Sequence, residues 1–143
     1  MVLGAAQRKG KVVTRVIPKT TAENVQKAIL ETIEPNSTMV TDEHHAYNKL
    51  NKVYKHEKVN HRRKEYVRGN IHTNTIEGFW NILKKQIDGI HHSVSPKHLQ
   101  RYCNESAYRY NHRQLPQDER FALTVSNCEG RLKYDTLINN NSK

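Results

Sequence analysis

The stretch Asn70-Ile71-His72-Thr73-Asn74-Thr75-Ile76-Glu77-Gly78-Phe79-Trp80-Asn81-Ile82-Leu83-Lys84-Lys85-Gln86-Ile87-Asp88-Gly89 holds the strongest pattern in this chain. It continues as Ile90-His91-His92-Ser93-Val94-Ser95-Pro96-Lys97-His98-Leu99-Gln100-Arg101-Tyr102-Cys103-Asn104-Glu105-Ser106-Ala107-Tyr108-Arg109-Tyr110-Asn111-His112-Arg113. Two helices are written into it. Ile76, Trp80, Leu83 and Ile87 recur at helical spacing and form one apolar stripe. Glu77, Asn81, Lys84 and Asp88 follow a separate row, and Glu77 and Lys84 lie two turns apart, so both project the same way. That helix is expected to end near Gly89. Ser95 reads as the N-cap of a second helix and Pro96 as its first helical residue. Leu99, Cys103, Ser106 or Ala107, and Tyr110 would supply its inner face. Arg101, Arg109 and Arg113 leave it basic elsewhere, and Tyr102, Tyr108 and Tyr110 read as packing groups rather than base-stacking platforms. A carboxylate and a lysine on one helix face suit a site that handles metal and phosphate. They equally suit an ordinary solvated helix surface.

Toward the N-terminus, Val2 to Ala6 reads as a short strand and Gln7-Arg8-Lys9-Gly10 as a turn. Lys11 to Ile17 resumes as a strand rich in β-branched residues, which makes a hairpin with a basic tip. Thr20-Thr21-Ala22-Glu23 reads as a capping box. Ala22, Val25, Ile29 and Ile33 then share one helical face, and Pro35-Asn36 stops that helix. Ser37 to Thr41 reads as a buried strand ending on Asp42, with a helix expected from His44 to Leu50. Asp42 could serve chemistry at the carboxyl end of a strand or simply cap that helix. Asn51 to Asn60 holds one more short strand, with Val53 and Val59 inward. His61 to Gly69 is a basic loop in which Arg62, Arg63, Lys64 and Arg68 surround Tyr66. It reads as a phosphate contact or a solvated linker. Beyond Gln114, a short helix around Phe121 to Val125 is expected, closed by Gly130.

Composition narrows the field. The 143 residues suit one domain; 24 Lys and Arg against 14 Asp and Glu give a net charge of +10 and a pI near 9.7. Such a surplus favours a polyanionic partner, nucleic acid first. A hydrophobic fraction of 35% is low for a self-sufficient core. No apolar run is long enough to span a membrane. Cys103 and Cys128 make no disulfide framework, and the nine histidines fall into no recognised zinc spacing. A reduced, cytoplasmic protein is the expectation.

The run His72 to Trp80, with Leu83-Lys84, Val94 to Tyr102, and Arg109-Tyr110-Asn111-His112-Arg113, resembles the C-terminal half of the ISXO2-like (IS1595-type) DDE transposases. The similarity extends back to the start of the chain and on to about Leu137. It implies one catalytic domain over residues 1–137, leaving 138–143 as a disordered tail. It also implies an RNase H-like fold, a mixed sheet flanked by helices, in which three acidic residues hold two Mg²⁺ or Mn²⁺ ions for DNA cleavage and strand transfer. By position, Asp42 matches the second acidic residue and Glu77 the third. Lys84 would reach DNA phosphate. His72 and Asn74 would contact DNA or support the ligands, although either could cap the helix. Arg62, Arg63, Lys64, Arg68, Lys97, Arg101, Arg109 and Arg113 complete the basic surface expected to meet transposon ends and target DNA.

The family's first acidic residue lies on a central strand ahead of the opening hairpin, yet here no carboxylate precedes Glu23. The expectation is therefore a chain that starts one strand late, lacks the first ligand and the central strand, and is inactive by itself. It could pair with another copy or with a full-length transposase. Two other functions stay open: a non-catalytic DNA-binding remnant, and a nuclease on the same fold.

Overall fold

The structure is a computed structural model and describes residues 1–42, 44–47, 50–59, 72–130 and 133–135. The basic loop containing Arg62, Arg63, Lys64 and Arg68 lies outside the described residues, as does the tail from 138 to 143.

Strand β1 (Val2–Ala6) pairs antiparallel with β2 (Val12–Val16), with Val2 opposite Val16 and Ala6 opposite Val12. Side chains alternate between faces of a strand. Val2, Ala6, Val12 and Val16 therefore share one face, and all four pack into a cluster with Phe79, Leu83, Cys103 and Ala107. Leu3 points the other way, against Val25, Ala28 and Ile29 of α1 (Ala22–Leu30) and their neighbours. The hairpin is thus a partition between two apolar clusters.

Helix α1 starts one residue later than the capping-box reading. Thr21 is the N-cap, and its hydroxyl accepts the Asn24 N–H at 3.3 Å. Val25 and Ile29 are buried as expected, with Ala28 beside them and Ala22 and Ile33 at the margin. Strand β3 (Thr38–Thr41) follows and pairs in parallel with β4 (Lys55–Lys58). Among the described residues of the span from His44 to Leu50, none is α-helical, against the expected helix. Two short 3₁₀ turns, His45–Tyr47 and Leu50–Lys52, occupy the region. His and Asn are weak helix formers, and burial of Ala46, Leu50 and Tyr54 is met by these tighter turns. The Tyr54 hydroxyl donates to the Ile33 carbonyl at 2.9 Å, so a polar tip enters the core with its partner supplied. Among the described residues the four strands form two separate pairs, so the chain is mixed α/β with small sheets.

Helix α2 (Asn74–Gln86) buries Phe79 and Leu83 and half-buries Ile76, Trp80 and Ile87. Phe79 is the most enclosed side chain of the stripe, one residue off the expected register. The helix continues as a π-helical turn, Ile87–His91, that carries the expected Gly89 end. Helix α3 (Leu99–Asn111) begins with His98 as N-cap, not Ser95. Ser95 and Pro96 instead open a turn in which the His98 N–H reaches the Ser95 carbonyl at 2.9 Å. Cys103, Ser106 and Ala107 all face inward, and Tyr110 stands edge-on to Phe79 at 5.6 Å between ring centres. Helix α4 (Gln117–Ser126) ends on the Asn127 C-cap, ahead of Gly130, and leaves Phe121 and Val125 exposed.

Candidate active site and nucleic-acid interface

Asp42 follows the last residue of β3 and is exposed. Its Oδ1 accepts the His44 N–H at 3.2 Å, two residues on, so it closes a local Asx-type turn rather than capping a helix. Beneath it, Thr41 is 7% exposed. The Thr41 hydroxyl donates to the Asp42 carbonyl at 2.9 Å and lies 2.7 Å from His56 Nε2. Tyr47 lies within electrostatic reach of Asp42, its hydroxyl pushed above the usual range by burial and then by the Asp42 charge. The Tyr47 ring also meets His44 edge-on, and His44 stacks on His45 at 4.4 Å.

Glu77 stands in the first turn of α2, where a carboxylate is favoured by the positive end of the helix dipole. It is exposed, and the Thr73 hydroxyl donates to its Oε1 at 2.5 Å. Thr73 is the N-cap residue, so neither His72 nor Asn74 takes that role. Asn74 is exposed. His72 is half-buried, and its Nδ1 has no hydrogen-bond partner among the described residues. Among those residues no group of three or more His, Cys, Asp or Glu side chains is gathered closely enough to hold a metal ion. Asp42 and Glu77 are both exposed, Asp42 just past the end of β3 and Glu77 in the first turn of α2.

The basic residues divide by what they touch. Lys84, Lys97 and Arg101 are exposed, Lys84 two turns beyond Glu77 on α2. Arg109 is also exposed but pairs with Glu105 one turn back, at 2.8 Å. Arg113 folds onto its own helix. Its guanidinium sits 3.9 Å above the Tyr110 ring and donates to the Tyr110 carbonyl at 2.7 Å. A cation held this way is partly spent on the aromatic face.

Sequence reasoning passed over Thr41 and His56, the polar pair under Asp42. The signal was a His at an alternate position of a strand that otherwise reads Lys-Glu-Lys. It also passed over Gln100 and Asn111, which bind the backbone of β2 from α3.

No curated protein and no solved structure matches the chain. The family described as the ISXO2-like transposase domain matches residues 1–111, from the opening hairpin to the end of α3, and takes in Asp42, Glu77 and Lys84. With more than three quarters of its residues inside that match, the chain belongs to the ISXO2-like transposase domain family.

Proposed function

We propose that this chain serves DNA transposition through a DDE-type site in which Asp42 and Glu77 are metal ligands and the basic residues grip DNA. The observation that carries the reading is the family match, which spans both carboxylates and the helix that bears Lys84. The order of hairpin, helix, parallel pair and two long helices supports an RNase H-like arrangement, taken over residues 1–137. The donor chemistry fits a hard divalent ion. Both groups offer carboxylate oxygen, the ligand type that Mg²⁺ and Mn²⁺ prefer. Both are exposed, so neither must leave a core to bind. A carboxylate that accepts one N–H, as Asp42 does, keeps acceptor sites to spare. A bound pair of such ions would stabilise the negative charge on the attacking and leaving oxygens of an in-line displacement at phosphorus.

The protein's own contribution is placement. The short turn to His44 fixes the Asp42 carboxylate at the end of β3, and Thr73 steadies Glu77 at the start of α2. Lys84, Lys97, Arg101, Arg109 and Arg113, with Arg62, Arg63, Lys64 and Arg68, would neutralise DNA phosphates, with His72 and Asn74 beside Glu77. The partner is DNA, at transposon ends and target, with further copies or a full-length transposase as assembly partners. Among the described residues no helix is long and apolar enough to cross a membrane. A nucleoid-associated place of action follows from the reading.

Because a net charge of +10 attracts DNA phosphates without any metal site, a purely DNA-binding role is the second reading. Fluorescence anisotropy with a labelled duplex, with and without Mn²⁺, separates the two. Binding should weaken steeply with salt, and Mn²⁺ should add an increment that Asp42→Asn with Glu77→Gln removes. If the double variant keeps the whole Mn²⁺ response, the site reading fails and DNA binding alone remains. Absence of duplex binding at low salt would defeat both.

A further inference from the structure

We infer that His56 is a positioning residue for Asp42, acting through the Thr41 hydroxyl. The inference rests on reading Asp42 as a divalent-cation ligand and names the device that holds it.

Hydrogen-bond polarity gives the relay a direction in which every contact is satisfied. A threonine hydroxyl has one proton to give. Thr41 donates it to the Asp42 carbonyl at 2.9 Å. Both contacts are satisfied together when the 2.7 Å contact to His56 runs the other way, with Nε2–H donating and the threonine oxygen accepting. The relay uses that tautomer of His56, with the proton on Nε2. Partial burial, helped by the Lys58 ammonium and opposed by Glu57, lowers its pKa, which favours the neutral ring.

The strand register makes the contact possible. In the parallel pair Met39 stands opposite His56 and Thr41 opposite Lys58. His56 reaches one position along its own face to the buried Thr41. Asp42 follows Thr41 immediately, where the ladder ends and the chain turns. Its carbonyl is tied to Thr41, and its carboxylate is tied through Oδ1 to the His44 N–H. Backbone and side chain are thus both fixed at an exposed residue that would otherwise sample several rotamers. Groups standing behind a metal ligand commonly set its affinity in this way.

A bond that merely fastened β4 to β3 would leave ion binding untouched once the chain is folded. The test uses the full 143-residue chain. Mn²⁺ alone is the probe: the free ion is read by electron paramagnetic resonance, and folding is followed by circular dichroism. His56→Leu and Thr41→Val should each weaken Mn²⁺ binding about tenfold, the lower end of losses seen for such supporting groups. The two changes together should cost no more than either alone. His56→Gln, whose side-chain amide can donate from a similar place, should restore most of the affinity. Asp42→Asn should abolish the response. If Asp42→Asn does so while His56→Leu binds Mn²⁺ like the parent, the inference is wrong and the metal reading stands. If His56→Gln loses as much as His56→Leu, the hydrogen bond is not the cause and the inference is again wrong. If Asp42→Asn binds unchanged, the metal reading fails and the inference fails with it. Should His56→Leu not fold, Thr41→Val against Thr41→Ser poses the same question, and equal affinities there would overturn the relay.

Discussion

Asn111 binds both backbone groups of Val12: its Oδ1 accepts the Val12 N–H at 2.7 Å, and its Nδ2 donates to the Val12 carbonyl at 2.9 Å. Eleven residues earlier on α3, Gln100 does similar work, accepting from Val16 N–H at 2.6 Å and donating to the Thr14 carbonyl at 3.1 Å. The separation is about three helical turns, which keeps both amides on one face. Two side chains thus stand in for a neighbouring strand and cover the outer edge of β2, which would otherwise be open to pairing.

Asn111→Ala should therefore destabilise the fold by about 1–3 kcal/mol, because it strands two backbone groups beside the buried Val12. A lower urea midpoint with an unchanged slope would register the loss. Asn111→Asp keeps the acceptor and loses the donor, so it should also be less stable than the parent. A variant as stable as the parent would mean that water satisfies β2 equally well.

Gly4 gives a second fixed point. A Cβ built there would stand 2.4 Å from Trp80 Cζ2 and 2.7 Å from Cη2. Only a residue without a side chain lets the indole lie on β1. Gly4→Ala should cost about 1–3 kcal/mol, as overpacking usually does, and should change the Trp80 fluorescence. In a Trp80→Leu background most of the cost should vanish. A full cost in that background would place the strain elsewhere.

The inner faces of α1 and α3 could be read because burial on a helix repeats every three or four residues, as Val25 and Ile29 or Cys103 and Ala107 show. The position of Asp42 just past a strand was also legible, since β-branched runs and their ends are local signals. Helix starts were less so. Thr20 and Thr21 are both competent caps, and Ser95-Pro96 opens a turn as well as it opens a helix. The helix expected after Asp42 failed because the burial of Ala46, Leu50 and Tyr54 at helical spacing is shared by two 3₁₀ turns. The roles of His56, Asn111 and Gln100 depend on partners 15, 99 and 84 residues away, and no local pattern announces those.

The lowered pKa of His56 has a consequence for stability. Its folded value lies below the ordinary 6.5 because burial penalises the charged ring. Between the folded and unfolded values the unfolded chain binds more protons, so stability rises with pH across that window. The contribution is complete above about pH 6.5 and is lost as pH falls through the folded value. Thermal unfolding from about pH 7.5 down to 5 should show a steeper loss for the parent than for His56→Gln. Parallel curves would show that His56 titrates alike in both states.

The contrast among the cations predicts their weight in DNA binding. Each lysine or arginine that neutralises one phosphate adds about 0.9 to the slope of log affinity against log salt. Exposed Lys84 and Arg101 should each give nearly that full change when replaced by Ala. Arg109 should give less, because Glu105 lies 2.8 Å away and already balances its charge. For the same reason Glu105→Gln should tighten DNA binding, since it removes a competing carboxylate while leaving Arg109 in place. The pair is a surface one, worth little to stability by itself, so neither change should move the unfolding midpoint by much. Salt-dependent anisotropy titrations of the four variants check the ranking. An Arg109→Ala slope change as large as that of Lys84→Ala would show that DNA displaces Glu105 from Arg109 at little cost.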